Sequence, residues 1–158
     1  MYESMLWLQG TNLAAAVAEV WFPRVECAHV IAMAMLAGTI FIVDTRLLGL
    51  TSREHSFRYL SDRLLPWTWI AFAVSVLTGS LMFMSNATGY YGNPAFRLKM
   101  LLLVLAGLNM LYFQFVTFRG VEAWDFGHPP IRARLAGLAS VGIWCSVIAS
   151  GRWIGFSL

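Results

Sequence analysis

Four stretches of the chain are apolar over about the 20 residues that a membrane-crossing helix needs, with polar punctuation between them. The second is the cleanest: no charged residue lies between Leu64 and Phe96, and residues 64–84 read as one span. The third, residues 96–118, is opened by Asn93 as a cap and Pro94 at the first helical position, where a missing N–H costs nothing. The fourth, residues 131–156, follows the helix-breaking pair Pro129-Pro130. The first, residues 23–50, carries Glu26, His29, Asp44 and Arg46, so its uncharged stretch is only fourteen residues long. Its charges fall in the end turns, within reach of headgroups or protein partners. Two shorter pieces complete the layout. Residues 1–20 place Met5, Leu6, Leu8, Leu13 and Val17 among few charges, the pattern of a short N-terminal helix at the interface. Residues 51–63 are polar with Phe57 and Leu60 on one side, and Ser52 is a candidate cap for a second interfacial helix.

Composition turns these stretches into a class. Hydrophobic residues make up 59% of the 158 and charged residues 12%, against roughly 45–50% and about 25% in soluble domains. The mean hydropathy is +0.67. The expected fold is therefore all-α: an integral membrane four-helix bundle, residues 1–158 forming a single transmembrane domain. No internal repeat, low-complexity tract or second domain interrupts it. The net charge of +3 comes from singly scattered Lys and Arg, with no stripe to suggest nucleic acid. The first twenty residues hold Glu3 and Glu19 but no Lys or Arg, so the basic n-region of a signal peptide is missing. With four spans, one side of the membrane takes Arg24, Arg97, Lys99 and Arg152, and the other takes the remaining seven basic residues. That asymmetry predicts cytoplasmic 51–63 and 119–130 loops and both termini outside.

Candidate chemistry centres on His29, two turns into the first span and roughly 10 Å below its start. Glu26 and Met33 share its face, and Asp44, eighteen residues beyond Glu26, returns to it after five turns. Ionisable residues at membrane depth mark functional sites by default. The functional expectation for His29 is an axial ligand to haem iron; the structural alternative is a hydrogen-bonded histidine holding Glu26 or a neighbouring helix. Arg152, at the same depth in the fourth span, is a candidate partner for Glu26 or for a haem propionate, or else a snorkelling arginine. Arg24 and Arg97 are further candidates for the propionates. His55 and His128 fall in loops on the same side and form a weaker bis-histidine candidate. Cys27, His29 and Met33 have the ligand chemistry of a copper site, but Cys27 and His29 diverge by about 200° on a regular helix. Cys27 and Cys145 lie at different depths, which argues against a mutual disulfide.

The remaining polar and small residues suggest architecture. Gly142, Ser146 and Ser150 form a small-residue stripe, and Gly151 to Gly155 match GxxxG, both of which permit close helix approach. Asn109 requires an interhelical partner, and Trp67, Trp69, Trp144 and Trp153 suggest an aromatic belt. No HExxH, Walker loop, GxSxG or pair of carboxylates spaced for acid–base work occurs.

The run VECAHVIAMAMLAGTIFIVDTRLLGL, the stretch TGSLMF…YYGNPAFRLKMLLLVLAGLN and the terminal GRWIGF resemble a family of small bacterial four-helix membrane proteins of uncharacterised function, over nearly all the chain from Trp21. A looser similarity extends to copper-resistance D-type and b-type cytochrome membrane domains. It implies haem or copper as cofactor, whereas one histidine within a span departs from their bis-histidine pattern. The expectation is a haem-b-binding protein of the bacterial inner membrane, working as a homo-oligomer and exchanging electrons with quinone or a redox partner protein. The alternatives are a non-catalytic oligomeric scaffold, and a small-molecule or metal-ion transporter using the Glu26–His29–Asp44 stripe.

Overall fold

The computed structural model describes residues 2–51, 56–125 and 127–157, with the side chains of Thr117 and Ala123 left aside. Among the described residues every regular element is helical. The order is α1 (Tyr2–Gln9), α2 (Asn12–Ala16), a π-helical turn (Val17–Trp21), α3 (Phe22–Leu47), α4 (Phe57–Ser85), α5 (Ala87–Gly92) and α6 (Pro94–Tyr112). A π turn (Phe113–Thr117) and a 3-10 segment (Phe118–Ala123) then lead to α7 (Ile131–Ser157). Four helical stretches are long and apolar enough to cross a membrane: Asn12–Leu47, Phe57–Ser85, Pro94–Val116 and Ile131–Ser157. This is an all-α, multi-pass membrane protein built as a four-helix bundle.

The helices begin where local chemistry lets them. Asn93 accepts from the N–H groups of Ala95 and Phe96 at 2.9 and 3.4 Å, so the cap ahead of Pro94 starts α6. The N-terminal region differs from the sequence expectation. Thr11 caps a helix that starts at Asn12 and continues through the π turn into α3, with Pro23 near the start of α3. Only α1 remains a separate short helix, and it docks on α5: Gln9 Oε1 accepts from the N–H and hydroxyl of Thr88 at 3.3 and 2.9 Å. The expected interfacial helix over residues 51–63 is also absorbed. Ser56 caps α4 by accepting from the N–H of Tyr59 at 3.0 Å, and the helix runs unbroken past Pro66. The cap proposed at Ser52 lies outside the described residues.

Helix α3 packs against both α4 and α7, and α6 packs against α7. Stacked Phe83 and Phe96, with centroids 5.4 Å apart, bring α4 to α6. A midplane core gathers Leu36, Ala71, Trp144 and Val147. Trp144 is therefore a core residue, whereas Trp67, Trp69 and Trp153 stay exposed as a belt would have them. Asn109 finds its expected partner, donating from Nδ2 to the Ala136 carbonyl at 3.1 Å. Helices α3 and α7 approach closely at Gly137, where a Cβ would meet Leu47 Cβ at 3.1 Å and the Asp44 carbonyl oxygen at 3.4 Å. Among the described residues Gly142 and Gly155 have no other part of the chain within 4 Å of a Cβ position, whereas Ser150 is buried and Gly151 lies against Lys99 of α6.

The two ends of the bundle are tied differently. At the end holding both termini, Asn93 Nδ2 donates to Ser157 Oγ at 2.9 Å. At the other end Phe57 is fully buried among Phe113, Phe118 and Trp124. Asp125 ties the connection there: its carbonyl accepts from Phe57 N–H at 3.3 Å and Arg46 Nη2 at 2.9 Å, and its carboxylate accepts from Arg58 N–H at 2.9 Å.

Candidate functional site

His29 is half-buried on α3 and turned toward α4, where its Nδ1 lies 2.9 Å from Thr78 Oγ1. The hydroxyl proton of Thr78 already goes back to the Val74 carbonyl at 2.7 Å. With that proton on the Val74 carbonyl, the contact is the one a neutral ring makes as the Nδ1–H tautomer, which leaves the Nε2 lone pair available. The Ser75 carbonyl faces the same ring. Gly79 makes room for it: a Cβ there would stand 3.2 Å from His29 Cε1. Ser75 is itself buried, and its Oγ has no hydrogen-bond partner. These contacts come from α4 residues spaced three or four apart, one face of a helix.

Lys99 of α6 completes the surroundings of His29. Its stem runs along Gly151 of α7, with Nζ 3.4 Å from the position a Cβ would take there. Its charge acts on the His29 imidazole. Lys99 and His29 enter the bundle from the same end, roughly one and a half to two turns into α6 and α3.

The stripe expected on α3 comes apart in three dimensions. Glu26 is exposed and, with Cys27, Val30 and Ile31, lines a cleft of about 270 Å³ on the outer side of α3. Its charge is felt by Tyr90. Met33 packs against the midplane core, one turn below His29. Asp44 is buried and hydrogen-bonded to Ser140 of α7, with Oδ2 unpaired. The physical reason is that α3 changes partners along its length: α4 covers its His29 turn and α7 covers its Asp44 turn. Arg152 is exposed, with its guanidinium 4.5 Å over the Phe156 ring, and forms no ion pair with Glu26.

The other candidates lie apart. His128 is exposed and shares a cleft of about 230 Å³ with Leu48, Gly49, Pro129 and Arg134 at the far end of the bundle. His55, its proposed partner, lies outside the described residues. Cys27 and Cys145 are free and exposed. Among the described residues no three of His, Cys, Asp and Glu converge as a metal site, and Cys27, His29 and Met33 point to different surroundings.

Sequence reasoning missed Lys99, Thr78 and Gly79. Thr78 lies in an apolar run that reads only as a span, and Lys99 counted only toward topology. Of the two surroundings expected for the end-turn charges, headgroups or protein partners, Arg46 takes the second: its side chain is 1% exposed and donates to the Asp125 carbonyl, with Nε and Nη1 unpaired among the described residues.

One family model matches the chain, over residues 6–157: a family of unknown function (DUF6644). No curated protein and no solved structure matches it.

Proposed function

The chain belongs to this family of unknown function, which brings no activity with it, and we propose from its own geometry that it is a haem-b-binding membrane protein with His29 as an axial ligand. The observation that carries this is the hydrogen bond from His29 Nδ1 to a Thr78 hydroxyl whose own proton is committed elsewhere. Histidines that bind metals characteristically donate their second ring N–H to a neighbouring acceptor, which orients the ring and raises its basicity. Here that arrangement exists at membrane depth, with Gly79 keeping the ring's edge against α4. When bound, haem supplies one-electron chemistry. Thr78 and Gly79 hold the imidazole in one orientation, and the hydrocarbon core around Leu36, Ala71, Trp144 and Val147 keeps water from its inner side.

The rest of the reading follows as part of the same proposal. His29 is the one histidine within a span, so the second ligand position would be open, or taken by Met33 on a broken helix, or by His29 of another copy, and the last of these would make the protein a homo-oligomer. Electron exchange with quinone or a redox partner protein in the bacterial inner membrane is the corresponding role. The Arg-rich end tied by Asp125 then faces the cytoplasm and the termini face outward.

The test is the visible spectrum of the full chain purified in mild detergent after expression with ample haem. A Soret band is expected, sharply reduced in His29→Ala and largely kept in His128→Ala and His55→Ala. Absence of the band overturns the proposal. Copper in the same preparation without haem favours the copper alternative.

A further inference from the structure

The basic residues at the His29 end differ in how they are engaged. Arg24 lies 5.0 Å over the Trp21 ring, Arg97 lies 5.2 Å over Tyr91 while donating to the Tyr91 carbonyl, and Arg152 lies 4.5 Å over Phe156. All three are exposed. Lys99 is half-buried, and among the described residues its ammonium has neither a hydrogen bond nor an ion pair. An ammonium in hydrocarbon without an anion is costly, and this one lies in ordinary contact with a glycine of the neighbouring helix. Nζ stands 3.4 Å from where a Cβ of residue 151 would be, with Cε and Cδ at 3.8 and 4.0 Å from the same point. A second unpaired donor, the buried Ser75 hydroxyl, belongs to the α4 face that carries the His29 imidazole. A lone pair at His29, a free ammonium at Lys99 and an unsatisfied hydroxyl at Ser75 are therefore gathered from three helices at one end of the bundle.

We propose that Lys99, lying along Gly151, is the group that receives a carboxylate of the ligand bound at His29, so that the site selects a cofactor bearing acid groups. The inference rests on the haem reading of His29 and adds the recognition of the propionate side, a role that Arg24, Arg97 and Arg152 do not fill. A carboxylate brought to Lys99 neutralises the only inward-facing cation of this end among the described residues, and the resulting charge-assisted hydrogen bond in low dielectric is among the stronger polar contacts available.

The experiment compares ferric haem b with its dimethyl ester, in which both propionates are blocked. Each is titrated into detergent-solubilised full-length protein freed of haem and followed by Soret absorbance. The free acid is expected to bind the unmodified protein about tenfold more tightly than the diester, the worth of one charge-assisted hydrogen bond. Lys99→Met erases that preference, while Lys99→Arg retains it. His29→Ala weakens both compounds alike. Equal affinities in the unmodified protein, a comparison that needs no variant to fold, overturn the role of Lys99 and leave His29 as ligand intact. A preference that survives Lys99→Met also overturns it. Failure of both compounds to bind removes the haem reading and this inference together.

Discussion

A single hydroxyl decides how His29 can act. With the Thr78 proton on the Val74 carbonyl, the 2.9 Å contact is the one made by a ring that donates through Nδ1. Thr78→Val is therefore expected to lower haem content without abolishing it, by roughly the 10–100-fold in affinity associated with losing an outer partner, while Thr78→Ser restores it. Haem titration of the three proteins measures this. Tyr90 supports a second prediction at the same scale. It is buried beside Phe83 and Phe96, and burial, reinforced by the charge of Glu26, holds its phenol above the usual range. The folded state thus favours the neutral phenol. Its stabilising contribution is complete below pH about 10 and is lost as pH rises through that value toward the folded one. Melting curves from pH 8 to 11 should fall more steeply for the unmodified protein than for Tyr90→Phe; parallel curves would contradict the assignment.

Helix ends carry much of the local specification. Asn93 starts α6 by satisfying two N–H groups and reaches the end of α7 through Ser157, so Asn93→Ala loses a cap and a tie at once. A cost of about 1–2 kcal/mol is expected, read from unfolding of the detergent-solubilised protein. At the opposite end, Asp125 holds α4 through two backbone N–H groups and α3 through Arg46. Asp125→Ala removes the carboxylate bond and leaves both bonds to its carbonyl, so the expected loss is smaller, about 1 kcal/mol, with increased proteolysis near residues 118–125. Asn93 and Pro94 announce their helix in the chain, because a cap is a contact between residues two and three apart. The Asp125 tie is invisible there, because it joins residues separated by 67 and 79 positions.

For the whole molecule, the bundle depends on where α3 meets each neighbour. The crossing with α7 at Gly137 has no room for a branched side chain: a Cβ alone would come within 3.1 Å of Leu47 and 3.4 Å of a backbone carbonyl. Gly137→Val should separate α3 from α7, exposing Asp44 and its bond to Ser140, and lower thermal stability by at least about 2 kcal/mol through overpacking. Gly142→Val, at a glycine with open space around it, should leave the isolated protomer's stability unchanged. If Gly142 serves the proposed association between copies, the same substitution shifts the detergent-corrected mass toward the monomer in light scattering. Topology follows from the even number of spans. A cysteine placed at Ser56 should react from the side opposite to one placed near either terminus, and labelling from the same side would contradict the arrangement.

Taken alone, the chain's hydrophobic pattern determined the class, the number of spans, the cap of α6, the break before α7 and the need for a partner at Asn109. These follow from composition and from contacts within a few residues, which the linear pattern records directly. It also singled out His29, because an imidazole in hydrocarbon is conspicuous wherever it points. Tertiary structure alone decided what surrounds that imidazole. Periodicity puts Glu26, His29 and Asp44 on one stripe, yet a stripe has no fixed neighbour. Helix α3 turns it past the bundle's outer end, then α4, then α7, so that Glu26 stays exposed, His29 meets Thr78 and Gly79, and Asp44 meets Ser140. Lys99 looks like any basic residue near a helix end until packing lays it along Gly151 on another helix. Helix faces are periodic properties of one segment, whereas a site is a meeting of faces, and that meeting is fixed by crossing positions such as Gly137 that only the packed bundle contains.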